Sequence, residues 1–391
     1  MVIPDRSKNH NQPSMHTKNL GIFRSAGHLA AAASIVILGA LSLFSCKSGQ
    51  KPPEAGTGTA LSLRKGVVLV DYREQRRVDV YIDGDLFTSY IYPADLEKPV
   101  LYPVRSAEGT LITRGYPLDP REGERVDHPH QVGVWFNFGD VNGYDFWNNS
   151  SAIPAEQKAH YGRILQRGVK RAESRETIGV LEIAADWQVP TEDGGWHTIL
   201  QESSIFQFSG DELSRTIDRT TQLTAQEKEV VFNDSKEGLF AIRVARQLEQ
   251  PSDEALILTD ARGMPIKTPV VNNEGVQGHY LNSEGIEGTD VWGKRARWVS
   301  LSSRIGEEGI SLIMFDHPRN AGYPSHWMAR GYGLFAVNNL AARAYDENAE
   351  PVHFKLLPGE SVVFRHRLYI RSGESLPAEE VNDMADAFGK D

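Results

Sequence analysis

A single cysteine, Cys46, stands in 391 residues, so no disulfide can form within the chain and a folded body must be held by its core alone. There is no excess of positive charge either. The formal net charge is -10, which leaves no basic face of the kind a non-specific nucleic-acid binder needs, and no nucleic-acid partner is expected. Zinc-ligand spacings, phosphate loops and dinucleotide fingerprints are absent. Long helical stretches are scarce, which argues against parallel βαβ units, because their crossover helices are missing. The apolar run at residues 29–44 falls short of the roughly 18 residues expected of a membrane-spanning helix.

That run has a different meaning. A basic flank with Lys18, Arg24 and His28 precedes it, and it ends in Leu43-Phe44-Ser45-Cys46. Leu three before the cysteine and Ser one before it resemble the lipobox of bacterial lipoproteins, in which the thiol takes a diacylglyceryl group and becomes the new N-terminus. Acyl chains then supply membrane affinity at roughly 0.8 kcal/mol per buried methylene. Residues 1–45 are therefore expected to be a signal segment, with Met15 as an alternative start. Cys46 is the expected lipid-attachment residue, and residues 46–60 a Gly/Pro/Thr-rich tether. Lys47 after the cysteine, where an Asp resembles an inner-membrane retention signal, points to lipid anchoring at the outer membrane, on its periplasmic or surface face.

The body, residues 61–376, reads as many short strands separated by turn signals. Residues 77–82 alternate, Asp83-Gly84 marks a hairpin turn, and 86–92 returns. Residues 132–138 alternate again. Further strands are expected at 162–169, 173–188, 197–208, 212–224, 241–247, 297–304 and 310–315. A closing hairpin joins 352–356 to 361–370 through Pro358-Gly359-Glu360. Residues 377–391 carry the one helix signal, with Pro377 at its start and acidic residues in its first turn. The expected fold class is all-β, a large antiparallel β-sandwich, with a mutarotase-like supersandwich as its enlarged form by analogy.

The densest polar cluster is Asp127-His128-Pro129-His130-Gln131. In an extended segment, two histidines two apart point to one side, and Asp127 orients a ring. The bland reading is a loop whose histidines bond to backbone. Asp316-His317-Pro318 repeats the tripeptide after an apolar strand, with His326, Trp327 and Arg330 close behind. Asn142, Tyr144, Asp145 and Trp147 mix hydrogen-bonding groups with rings, as suits a sugar or equally a structured loop. Trp187, Trp292 and Trp298 read as packing. Arg295, Arg297 and Arg330 are candidate oxyanion partners. Glu182, Asp186 and Glu202 are candidate acids or bases, although no glycosidase pair can be assigned. Ser203 and Ser204 lack the nucleophile-elbow context of serine hydrolysis.

Asp127-His128-Pro129-His130, the following Gly133-Val134-Trp135-Phe136 and residues 139–147 together resemble the bacterial family labelled methane oxygenase PmoA-like. Residues 232–239, 242–245, 292–298 and 327–338 fit it in the same order, so the resemblance covers nearly all of the chain after the tether. It implies a β-sandwich and a carbohydrate context. It does not imply methane oxidation, since nothing here resembles that copper-dependent, multi-subunit transmembrane assembly. The chain departs from the family pattern at Gln131 and Val132, where a second His and an Arg are usual, and at Gln166, where a His is usual.

The expectation is an exported lipoprotein acting on a carbohydrate or glycan derivative by His/carboxylate acid–base chemistry, as an epimerase, lyase or hydrolase. His128 or His130 would transfer protons, Asp127 would orient the ring, and Arg295 or Arg330 would stabilise oxyanion charge. Asn142, Tyr144, Asp145, Trp147, His317, His326 and Trp327 would bind substrate. A saccharide ligand and the bilayer are the expected partners. No cofactor is expected, with a divalent metal at the histidines as the alternative. A non-catalytic glycan-binding lipoprotein and a structural envelope protein are the rival readings.

Overall fold

The computed structural model describes residues 65–390. The signal segment, Cys46, the whole tether and residues 61–64 lie outside the described residues. Alternation of apolar and polar side chains dictates strands through most of the body, and these assemble into two eight-stranded sheets. The first sheet runs, in spatial order, Val67–Tyr72, Arg77–Ile82, Asp85–Ile91, Val100–Val104, Val134–Phe138, Gly238–Arg243, Leu334–Asn338, His326–Ala329. The second runs His279–Asn282, Trp298–Ile305, Glu308–Asp316, Ser361–Ser372, Ser214–Ala225, Trp196–Gly210, Gly179–Pro190, Arg163–Glu173. Neighbouring strands within each sheet are antiparallel, as in Val134–Phe138 beside Gly238–Arg243.

The two sheets pack face to face through rings. Phe136 of the first sheet meets Trp187 and Phe364 of the second at 6.3 and 6.0 Å between centroids, and Phe87 meets Phe208 at 6.3 Å. Each large apolar side chain fully buried there contributes roughly 1.5–3 kcal/mol. The chain is an all-β antiparallel sandwich, as the strand spacing implies.

Val134–Phe138 is buried on both faces, which simple alternation does not predict. Phe136 and Phe138 point into the sandwich, while Trp135 points outward into a second apolar cluster with Trp147, Ala241, Met328 and Ala336. The outer face of the first sheet is therefore roofed by loops, and these loops carry the candidate site.

Two local expectations resolve differently. Asp83-Gly84 closes its hairpin as read, with both residues at positive φ (52° and 93°). The closing hairpin does not form. His353–Leu356 pairs with Val230–Asn233 in a separate two-stranded ribbon, whereas Ser361–Ser372 lies between Ser214–Ala225 and Glu308–Asp316 in the second sheet. The Pro358-Gly359 turn passes the chain from the ribbon to the second sheet, and each segment pairs with strands distant in sequence. The helix forms at Ala378–Phe388 and docks Val381 and Phe388 against Trp298 and Phe315. Among the described residues no helix is long and apolar enough to cross a membrane.

Candidate active site

The site is built on the Asp127–Gln131 turn, which the arginines of two neighbouring segments fix from below. Arg114 is 1% exposed and donates to the backbone oxygens of Asp127, His128 and Gln131 at 2.9, 3.0 and 3.1 Å, and to the Asp127 carboxylate. Arg243, fully buried, donates to Asp127 Oδ1 at 2.8 Å and to Gln131 Oε1. Two guanidiniums thus converge on one carboxylate, a strong charge-assisted arrangement. A second buried cluster lies behind them, in which Glu249 accepts from Arg125 at 2.6 Å and from Arg246. Burial pushes the Asp127 carboxyl up, but its bond to the His128 ring and the charges of Arg243 and Arg114 outweigh this and hold it well below the usual carboxylate range.

The histidines lie on a turn and not in an extended segment. Gln131 N–H donates to His128 O at 3.0 Å, and His128 takes a φ of 42°. Left-handed backbone at a residue with a Cβ costs on the order of 1–3 kcal/mol and tends to gather at functional sites. The turn brings the rings of His128 and His130 edge to face at 5.6 Å. His128 also stacks on Tyr332 at 5.1 Å, with 3° between planes, and Arg243 lies against the other ring of this stack, 4.8 Å from the Tyr332 centroid. His128 Nδ1 is 3.4 Å from Asp127 Oδ1, and its side chain is 42% exposed.

His130 is its opposite in environment. Its ring is buried and Nε2 has no hydrogen-bond partner among the described residues. Burial, reinforced by the positive charges of Lys98 and its neighbours, holds the imidazole far below its ordinary range, so it is neutral. His130 lines a hollow of about 170 Å³ with Lys98, Leu96, Leu118, Asn149 and Ser150. An exposed, carboxylate-held imidazole is placed to carry a proton, whereas the buried ring beside it is too weakly basic to take one near neutral pH and can serve only as a hydrogen-bonding group.

The other expected site residues do not join this cluster. His317 is fully buried and meets Phe388 of the C-terminal helix edge to face at 5.1 Å, while Asp316 accepts from Asn320, Asn339 and the Ser325 N–H. That Asp-His-Pro is a structural turn. Arg295 donates to the carbonyls of Pro324 and Gly322, and so braces a turn instead of presenting a free guanidinium. Arg330 lies over Trp292 at 4.6 Å. His326 stacks on Tyr345 and Trp327 is core. Asn142 ties the Glu229–Val231 backbone, and Tyr144 lines a separate hollow with His197 and Lys228. Asp145 closes its own turn by accepting from the Trp147 and Asn148 N–H groups, and Trp147 is 1% exposed, which leaves no face for a sugar. Asp186 is paired with Arg167. Glu202 is sealed in the core by Trp187, Ser204 and Arg219. Gln131 and Gln166, the departures from the family pattern, are both wired in, Gln131 to Arg243 and Gln166 to the Tyr90 hydroxyl at 2.6 Å. Among the described residues no three His, Cys, Asp or Glu side chains gather as a metal-holding group.

Sequence reasoning missed Lys98, Arg114, Arg243 and Tyr332. Arg243 had a readable signal, since it interrupts an otherwise apolar run from Leu239 to Val244. Lys98, between Glu97 and Pro99, had none.

A family model described as a family of unknown function (DUF6807) matches residues 77–386. No curated protein matches the chain. Among solved structures, the chain is similar to the galactosidase domain of an α-galactosidase–sucrose kinase, at 7% identity and a TM-score of 0.35, over 78% of this chain and 42% of that one. It is also similar to a putative aldose 1-epimerase from Escherichia coli K12, at 12% identity and a TM-score of 0.28, over 79% and 99% of the two chains. A galactose mutarotase-like protein from Clostridium acetobutylicum matches at 11% identity and a TM-score of 0.31, over 76% and 94%.

Proposed function

We propose that this chain, which belongs to the DUF6807 family of unknown function, binds a carbohydrate or glycan derivative at the outer face of its first sheet and acts on it by proton transfer through His128, with the neutral His130 beside it as a hydrogen-bonding group. One observation carries the reading. The Asp127 carboxylate is locked by two buried guanidiniums and stands 3.4 Å from an imidazole that is itself 42% exposed. A carboxylate that cannot reorient, beside a ring that reaches solvent, is a geometry suited to general acid–base chemistry. The adjoining hollow supports a sugar-like ligand. Polar residues Asn149, Ser150 and Lys98 line it together with the apolar Leu96, Val100 and Leu118. Its volume, about 170 Å³, is below the roughly 300–1,000 Å³ of drug-sized sites, which favours a single small ring.

The test is histidine-resolved NMR during titration with a panel of monosaccharides and glycosides. The resonances of His128 and His130 are expected to move, while those of the exposed His279 and His353 stay still. A saccharide that binds tightly without moving either ring at the Asp127 turn would remove the proposed site.

Cys46 is proposed as the lipid anchor on the strength of Leu43-Phe44-Ser45-Cys46. Expressed in a bacterial host, the wild-type protein is expected to enter the detergent-rich phase of Triton X-114 and Cys46→Ser the aqueous phase. Equal partitioning of the two would eliminate the anchor.

A further inference from the structure

The acid–base reading gives one buried cation no chemical role beyond lining the hollow. Lys98 is 5% exposed. Its Nζ donates to His130 O at 2.7 Å and lies 5.6 Å from the centroid of the Trp135 ring. Among the described residues no carboxylate stands within ion-pair distance of it. Glu97 is taken by Lys158 at 2.6 Å, and Asp145 is occupied by its own turn. Two hollows meet at this side chain. One, of about 170 Å³, holds His130, and the other, of about 300 Å³, is lined by Arg163 and Gln166. A buried ammonium with a lone carbonyl partner is a costly structural choice, since a buried charge ordinarily requires a counter-charge.

We infer that Lys98 captures the carbonyl group of the ligand as a Schiff base, so that the substrate class is a sugar or sugar derivative in its carbonyl form. This rests on the proposed sugar site beside His130. The nitrogen lone pair attacks the carbonyl carbon, a C–N bond forms, and the π pair moves to oxygen. One N–H proton passes to that oxygen, relayed by solvent water in the hollow that Lys98 and His130 both line. A second proton, from solvent, lets the oxygen leave as water, and the nitrogen keeps its remaining hydrogen as an iminium. Amine, carbonyl and proton become iminium and water, with no change of oxidation state. The iminium draws electrons from the adjacent carbon and acidifies its C–H, which favours epimerisation or elimination over hydrolysis. Burial holds Lys98 down to about 7, from an ordinary 10.5, so near neutral pH about half of it is free amine.

The test treats the folded full-length protein with glycolaldehyde and sodium cyanoborohydride at pH 7, then maps the modified lysines by mass spectrometry. An exposed lysine is on the order of 10³-fold poorer in free amine at this pH. Even after a large discount for burial, Lys98 is expected to be modified about tenfold faster than Lys170 or Lys267, with a midpoint near pH 7. Labelling of Lys170 and Lys267 with Lys98 untouched overturns the inference, and the same measurement in urea confirms that Lys98 is chemically competent once exposed. The outcome separates the two readings. Trapping at Lys98 without saccharide-dependent shifts at His128 leaves the lysine assignment standing and removes the acid–base site. The reverse pattern removes the lysine alone.

Discussion

Turnover by the His128→Ala protein is expected to fall by about 10²–10⁴-fold on any carbohydrate that the wild-type chain converts, the range a positioned general acid or base supplies. KM is expected to move far less, because the ring is 42% exposed and stacked on Tyr332, which keeps the surface of the site in place when it is removed. The fold should survive, since the turn is tied by Arg114 through backbone oxygens and not through the imidazole. Asp127→Asn is expected to lower turnover in the same direction, because Arg114, Arg243 and the His128 ring all lose the negative charge beside them. The acid limb of the activity profile does not belong to Asp127. Its folded carboxyl titrates below the ordinary 3.8, so the stability it contributes is fully present above about pH 3.8 and is lost only as pH falls through the lower folded value. Steady-state kinetics of both variants, with thermal unfolding as the control on folding, decides the matter. A His128→Ala protein that turns over within about threefold of wild type would take His128 out of the chemistry.

The features legible in the sequence are those with a short-range cause. Asp83-Gly84 closes its hairpin because the turn's backbone demands are met by two adjacent residues. The long outer strands of the second sheet alternate because one face meets the core and the other meets water, as in Trp196–Gly210. The central strands of the first sheet lose that signature because loops roof their outer face, and Leu334–Asn338 and Gly238–Arg243 are buried on both sides. Pairing at a distance leaves no local mark, which is why the turn signal at Pro358-Gly359 does not reveal that His353–Leu356 pairs with Val230–Asn233.

The two Asp-His-Pro tripeptides show the same limit at the level of the site. Asp127 is met by two arginines and its histidine reaches solvent, whereas Asp316 is met by asparagines and a serine and its histidine is packed beneath a helix. Identical residues acquire opposite roles from what surrounds them, and those surroundings come from segments more than a hundred positions away in the case of Arg243 and Asp127. The same holds for Lys98, whose character comes from Trp135 and the His130 carbonyl and not from its neighbours in sequence.

Replacing Lys98 with methionine is expected to make the protein more stable at pH 6, by about 1–3 kcal/mol. In the folded chain the ammonium titrates near 7, against 10.5 for an ordinary lysine. Folded protein therefore binds this proton less tightly than the unfolded chain does. Stability rises as pH climbs from about 7 towards 10.5, and below 7 the chain carries the full cost of the buried charge, roughly 3–5 kcal/mol from a shift of this size. Methionine keeps an unbranched stem against Trp135. It forfeits the bond to His130 O, worth about 1 kcal/mol, and the cation–π contact, worth about 1 kcal/mol. The remainder favours the variant in acid, and it vanishes in alkali, where the wild-type lysine is neutral in the folded state. Urea unfolding at pH 6 and pH 9.5 reads both effects. A Lys98→Met protein that is less stable than wild type at both values would mean that the ammonium is well solvated in place, and the case for a lysine kept against stability would collapse. A gain at pH 6 that shrinks with rising pH identifies a side chain the fold does not need, and a chain that retains such a residue beside a neutral histidine and a ligand-sized hollow keeps it for chemistry.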